Sequence, residues 1–154
     1  MKTSTNLLLF LFFILFQSQV SGQAFKLEEL AGFNRLDMAS FKTEIKEQHK
    51  YTFYDKTESP AFVLFEYDSP GYIYKIGKFE YTDDKSQDNI EFQFKDKKEH
   101  DAYIKAILAA GYKQTEKGKI LTGENYVDYL KDKAQIRMVH PKTAKDNYTI
   151  IVFK

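Results

Sequence analysis

Residues 90–111 read IEFQFKDKKEHDAYIKAILAAG, and within this stretch the apolar period changes. Ile90, Phe92 and Phe94 alternate with Glu91, Gln93 and Lys95, the period of a strand with one buried and one wet face. From Asp96 the period is helical: Tyr103, Ile107 and Ala110 recur on one face, with Ile104 and Leu108 beside them. Asp96 and Glu99 have the spacing of a capping box and Gly111 supplies a stop, so a helix is predicted over 97–110. A half-wet strand running into an amphipathic helix places the chain in the α+β class, with an antiparallel sheet and helices on one face.

The same order recurs upstream in weaker form. Asn34 and Asp37 again stand three apart, and Met38, Phe41 and Ile45 form an apolar stripe. Before that helix, residues 27–31 read as a short helical turn stopped by Gly32. Strands are predicted at 61–67, 72–81, 126–130, 134–140 and 148–153, with edge strands at 51–55 and 113–117. Ser69-Pro70-Gly71 makes a turn, and the parity change from Tyr74 and Ile76 to Phe79 and Tyr81 predicts a bulge at Gly77. Sliding the chain so that Asn34 meets Asp96 also brings Phe41 onto Tyr103, Ile45 onto Ile107, Glu66 onto Asp128, Tyr67 onto Tyr129, Tyr74 onto Ile136 and Ile76 onto Met138. The last strand needs a shift ~4 residues shorter, which the 83–89 loop can absorb. The chain therefore reads as two tandem αβββ or αββββ repeats, about 33–95 and 96–154, merged into one sheet.

The N-terminus has the grammar of a secretory leader. Lys2 supplies the positive end, 7–16 is an unbroken apolar run, and Val20 and Gly22 put small residues at the cleavage positions before Gln23. The run is about half of the ~20 residues a membrane span needs, so cleavage after 22 and an exported 23–154 domain are expected, periplasmic or extracellular. No cysteine follows the run, which excludes a lipid-anchored lipoprotein. Of the 23 Lys and Arg, only Lys2 lies in the leader, so the mature chain balances its 22 acids to zero net charge. That balance argues against a nucleic-acid partner, which needs a basic footprint. With no cysteine the fold must rest on its hydrophobic core. The core must be aromatic: four of the 14 Phe lie in the leader, leaving the others and 11 Tyr, with no Trp.

The leader ending in Ser21-Gly22-Gln23, the body rich in Lys, Tyr, Phe and Asn, and the helix followed by a Tyr-rich meander resemble small exported proteins of unknown function from Bacteroidota. In architecture alone, tandem helix-plus-four-strand units are similar to secreted beta-lactamase-inhibitor proteins, and one unit is similar to cystatins. The cystatin hairpin signature Gln-x-Val-x-Gly is missing from the mature chain. The resemblance implies binding rather than catalysis.

Catalytic signatures are missing as well. His49, His100 and His140 have no metal-ligand spacing to one another and no cysteine beside them, so surface or rim histidines and no metal are expected. There is no nucleophile elbow and no phosphate loop; Gly118 and Gly123 are isolated turn glycines. Asp84, Ser86 and Asp88 match half of a calcium loop, whose second half fails at Asn89 and Lys95. Asn147-Tyr148-Thr149 is a glycosylation sequon, relevant only in a eukaryote. The expectation is a non-enzymatic exported module without cofactor, binding a protein partner through the exposed sheet face or its loop tips, with Tyr54, Tyr72, Tyr126 and Tyr129 as contact residues. The alternative is a carrier holding a small apolar ligand between helices and sheet.

Overall fold

The alternation at Ile90, Phe92 and Phe94 and the stripe at Tyr103 and Ile107 pack against each other. A computed structural model describes residues 24–154, so the expected leader lies outside the described residues. The chain runs α1 (Leu27–Arg35), α2 (Met38–Glu47), β1 (Thr52–Glu58), β2 (Phe62–Asp68), β3 (Lys75–Tyr81), β4 (Asn89–Phe94), α3 (Lys97–Ala109), β5 (Lys113–Lys119), β6 (Asn125–Lys131), β7 (Ala134–Val139) and β8 (Tyr148–Phe153). The fold is α+β. Eight strands form one antiparallel sheet in the order β1-β2-β3-β4-β8-β7-β6-β5. No described helix is long and apolar enough to cross a membrane.

Local chemistry sets the helix ends, with two departures from the sequence pattern. Asp96 caps α3 by accepting from the Lys98 N–H at 2.7 Å, but Glu99 does not close a capping box. Its carboxylate instead accepts from the Tyr74 hydroxyl of β3, tying helix to sheet. Helix α2 is capped by Asp37, which accepts from the Ser40 N–H at 2.7 Å. Asn34 belongs to α1, which continues through Gly32 to Arg35. A helical glycine costs about 0.5–1 kcal/mol. Burial of Leu30 and Phe33 on the same helix offsets it, and Asn34 Nδ2 adds a 2.9 Å bond to the Val152 carbonyl of β8.

All three helices of the described residues lie on one face of the sheet. Phe41 packs edge-on to Tyr67, Tyr103 lies over Phe92 and Phe94, and Phe25 abuts Phe92. Ile76, Ile90, Phe92, Phe94, Met138 and Ile150 on that face are fully buried. Gly77 carries no bulge: the β2–β3 and β3–β4 ladders run unbroken through it. The inward position after Ile76 is filled by Lys78, which is 0% exposed, and this leaves Phe79 and Tyr81 on the opposite face. Lys78 Nζ reaches the carbonyls of Asn34 at 3.2 Å and Phe33 at 3.4 Å. A cation placed on the last carbonyls of α1 satisfies groups that a helix end leaves open.

The two halves share one strand order, each a helix followed by a four-strand meander, and join where β4 pairs with β8. Phe41 and Tyr103, Ile45 and Ile107, and Tyr67 and Tyr129 are all buried on the covered face. The third strands correspond differently from the sequence superposition. Ile76 pairs with Tyr67 and Ile136 with Tyr129, so Ile76 matches Ile136 and Lys78 matches Met138. The β2–β3 connection contains a 3-10 turn at Pro70–Tyr72, whereas β6 and β7 are joined by a tight turn with Asp132 at φ 55°. That length difference moves the register. Both edge strands, β1 and β5, carry a bulge against their neighbours, which blunts an open edge against further strand pairing.

Candidate functional site: the open sheet face

The sheet face opposite the helices carries a row set by the ladder register: Asp55, Glu66, Gly77, Glu91, Ile151, Arg137 and Asp128 stand side by side from β1 to β6. At one end Arg137 holds Asp128 through Nε to Oδ1 at 2.7 Å and a second nitrogen to Oδ2 at 2.8 Å, and Gln135 adds a 3.0 Å bond. The Asp128 bond holds the Arg137 guanidinium above its ordinary value. In the centre Glu66 and Glu91 flank Gly77, and among the described residues neither lies within 4.0 Å of a cation. Burial raises the Glu91 carboxyl from 4.5 to about 7, with the Glu66 charge adding to the effect. Burial also raises Glu66, and Lys75 partly opposes this. Gly77 lies in a tight place, since a Cβ there would lie 3.1 Å from Leu64 Cδ1 and 3.5 Å from Glu66 Cγ.

Each flank of this row pairs a tyrosine with a cation. Lys75 Nζ sits 2.8 Å from the ring centre of Tyr54, at the β1 bulge, while also 3.5 Å from Asp68. On the other flank the Arg137 guanidinium covers the Tyr126 ring at 3.8 Å, and the Tyr126 hydroxyl donates to Glu116 at 2.9 Å. An apolar corner completes the face: Phe62, Leu64, Phe79, Tyr81 and Phe153 are half-buried, with no helix above them among the described residues. The Phe62 ring is 5.4 Å from Phe79 and 5.7 Å from Tyr81.

The four tyrosines expected as contacts therefore separate. Tyr54 and Tyr126 frame the open face. Tyr72 ends the 3-10 turn after β2, 81% exposed, apart from the row. Tyr129 is buried on the covered face, where no partner at the open face can reach it. The missed residues are Glu66, Glu91 and Arg137. Their signal in sequence was a charged residue at alternate positions of an otherwise apolar strand, which also describes ordinary solvated strands.

A second grouping lies at the start of α3. The rings of His100 and His140 stand 5.0 Å apart, with Tyr148 4.7 Å from His100. His100 Nδ1 lies 2.9 Å from Asp101 Oδ1, and burial together with His100 lowers the His140 imidazole below its usual value. Among the described residues no group of three or more His, Cys, Asp or Glu side chains is placed to hold a metal. In the 83–89 loop, Asp84 accepts from the Ser86 N–H and hydroxyl, and Asp88 accepts from the Tyr81 N–H, so the half-matched calcium loop spends its carboxylates on the turn. A third feature is a cleft of about 340 Å³ between α1 and α3, lined by Phe25, Leu27, Ala102, Tyr103 and Ala106. The chain matches no known family model, no curated protein and no solved structure.

Proposed function

We propose that this is an exported, non-enzymatic binding module that receives a protein partner on its open sheet face. The observation carrying the reading is the Glu66 and Glu91 pair, two carboxylates that, among the described residues, have no cation and stand at the centre of an uncovered surface. Isolated charges held partly out of water are unfavourable, and a lysine or arginine from a partner would relieve both at once. Tyr54 and Tyr126, already stacked under cations, supply amphipathic contact area on either side, and tyrosine is enriched in interfaces. The Phe62, Phe79 and Tyr81 corner adds apolar surface of the kind that interfaces bury. On this reading the two halves are copies of one helix-plus-four-strand unit, supported by their common strand order and by the matched burial of Phe41 with Tyr103 and of Ile45 with Ile107.

The test is capture from the exported fraction of the source organism with purified 23–154 and with a Glu66→Lys plus Glu91→Lys variant. A partner should be retained by the first, released by high salt, and lost with the second. A partner held equally by both variants would show that the face is not the site.

The cleft between α1 and α3 favours a second reading, a carrier of a small apolar ligand. Its volume lies at the low end for ligand pockets, which run from about 300 to 1,000 Å³. The space between helices and sheet is otherwise filled by Phe41, Phe92 and Phe94, all 0% exposed. A lipid or aromatic retained in native mass spectrometry of protein from its own source would favour the carrier.

A further inference from the structure

We infer that His100 and His140 form a two-imidazole site for a divalent transition ion of the zinc, nickel or copper class. This pair of rings stands apart from the Glu66 and Glu91 row. An ionised carboxylate can only accept, so the 2.9 Å contact with Asp101 makes His100 Nδ1 the donor, and in the neutral ring this leaves the lone pair on Nε2. Asp101 is itself fixed by Lys97 Nζ at 2.8 and 2.9 Å, and this holds the ring orientation. Among the described residues His100 Nε2 is buried without a hydrogen-bond partner, on a side chain only 12% exposed. A buried lone pair left in this state carries a desolvation penalty, which a Lewis acid would remove.

The second ring supplies the geometry. Two imidazoles bound through nitrogen at ~2.0–2.1 Å to a tetrahedral ion have ring centres about 5 Å apart. The observed separation is 5.0 Å, with the ring planes 59° apart. A carboxylate behind the distal nitrogen of a metal-bound histidine is the usual outer-sphere partner, and Asp101 stands in that place. His140 is set by its backbone, whose N–H donates to the Asn125 carbonyl at 2.8 Å at the end of β7. With only two protein ligands, the ion keeps positions for water or for a group from a partner. Imidazole ligation selects borderline ions over calcium and magnesium.

The test uses the tag-free 23–154 chain and zinc chloride, observed through the imidazole signals of the wild-type protein by NMR. The His100 and His140 rings should respond together and saturably, His49 should not, and magnesium should produce no change. By calorimetry, His100→Gln and His140→Gln should each weaken zinc binding by at least about tenfold, and Asp101→Asn by about 10–100-fold, while melting temperatures without zinc stay alike. A response at one ring only, an equal response of all three histidines, or no saturable response would overturn the site. The wild-type spectra decide the matter even if a histidine variant fails to fold.

Discussion

Replacing Glu91 by glutamine should stabilise the protein, and only above mildly acidic pH. In the folded state burial raises this carboxyl from 4.5 to about 7. At 1.36 kcal/mol per pH unit, that gap corresponds to about 3 kcal/mol, and the solvent-facing edge of the side chain brings the expectation to about 2 kcal/mol through screening. Between 4.5 and 7 the folded state binds more protons than the unfolded chain. Its stability therefore falls as pH rises through this window, and the whole penalty is present at pH 8. Glutamine keeps the shape and never ionises. Urea unfolding of both proteins at pH 4, 6 and 8 reads the effect. With a slope of about 2 kcal/mol/M, the variant midpoint should lie about 1 M higher at pH 8 and converge on the wild type near pH 4. Equal midpoints at pH 8, or a difference independent of pH, would refute the burial and repulsion assigned to this pair. A carboxylate that destabilises the free protein fits a surface whose complement is a partner's cation.

Two further outcomes follow from the packing. Phe41→Ala and Tyr103→Ala should each cost about 3–5 kcal/mol in a single unfolding transition, as measured by circular dichroism; separate transitions for the two halves would contradict one shared core. Arg137→Met should cost about 3–5 kcal/mol at pH 7 because Asp128 is left buried without its cation, and adding Asp128→Asn should recover most of that loss. A double variant no more stable than the single one would show that the pair contributes nothing beyond packing.

Period-based reading succeeded where one face of an element does one job. Ile90, Phe92 and Phe94 all face the helices, and Tyr103 and Ile107 face the sheet, so β4 and α3 were legible to within a residue or so. It failed where a polar side chain does an interior job. Lys78 reads as an outward lysine, a reading that requires a bulge at Gly77, yet it is inward because the open carbonyls of α1 arrive above it. Asn34 reads as a helix cap for the same reason, although its partner is a β8 carbonyl. In β6, Tyr126 and Tyr129 fall on opposite faces, and the buried Asp128 between them hides the alternation because its partner Arg137 lies on the next strand. The approach of His100 to His140 is a purely tertiary contact, made by a helix start and a strand end, and no spacing rule could expose it.

The most direct test of partner binding at the open face is photo-crosslinking in the source organism, with a photoreactive residue placed either at Gln93, on that face beside Glu91, or at Leu108, 52% exposed on α3. A discrete protein adduct should form from position 93 and not from position 108. Adducts from position 108 alone, or none from position 93, would contradict a partner seated on the open sheet.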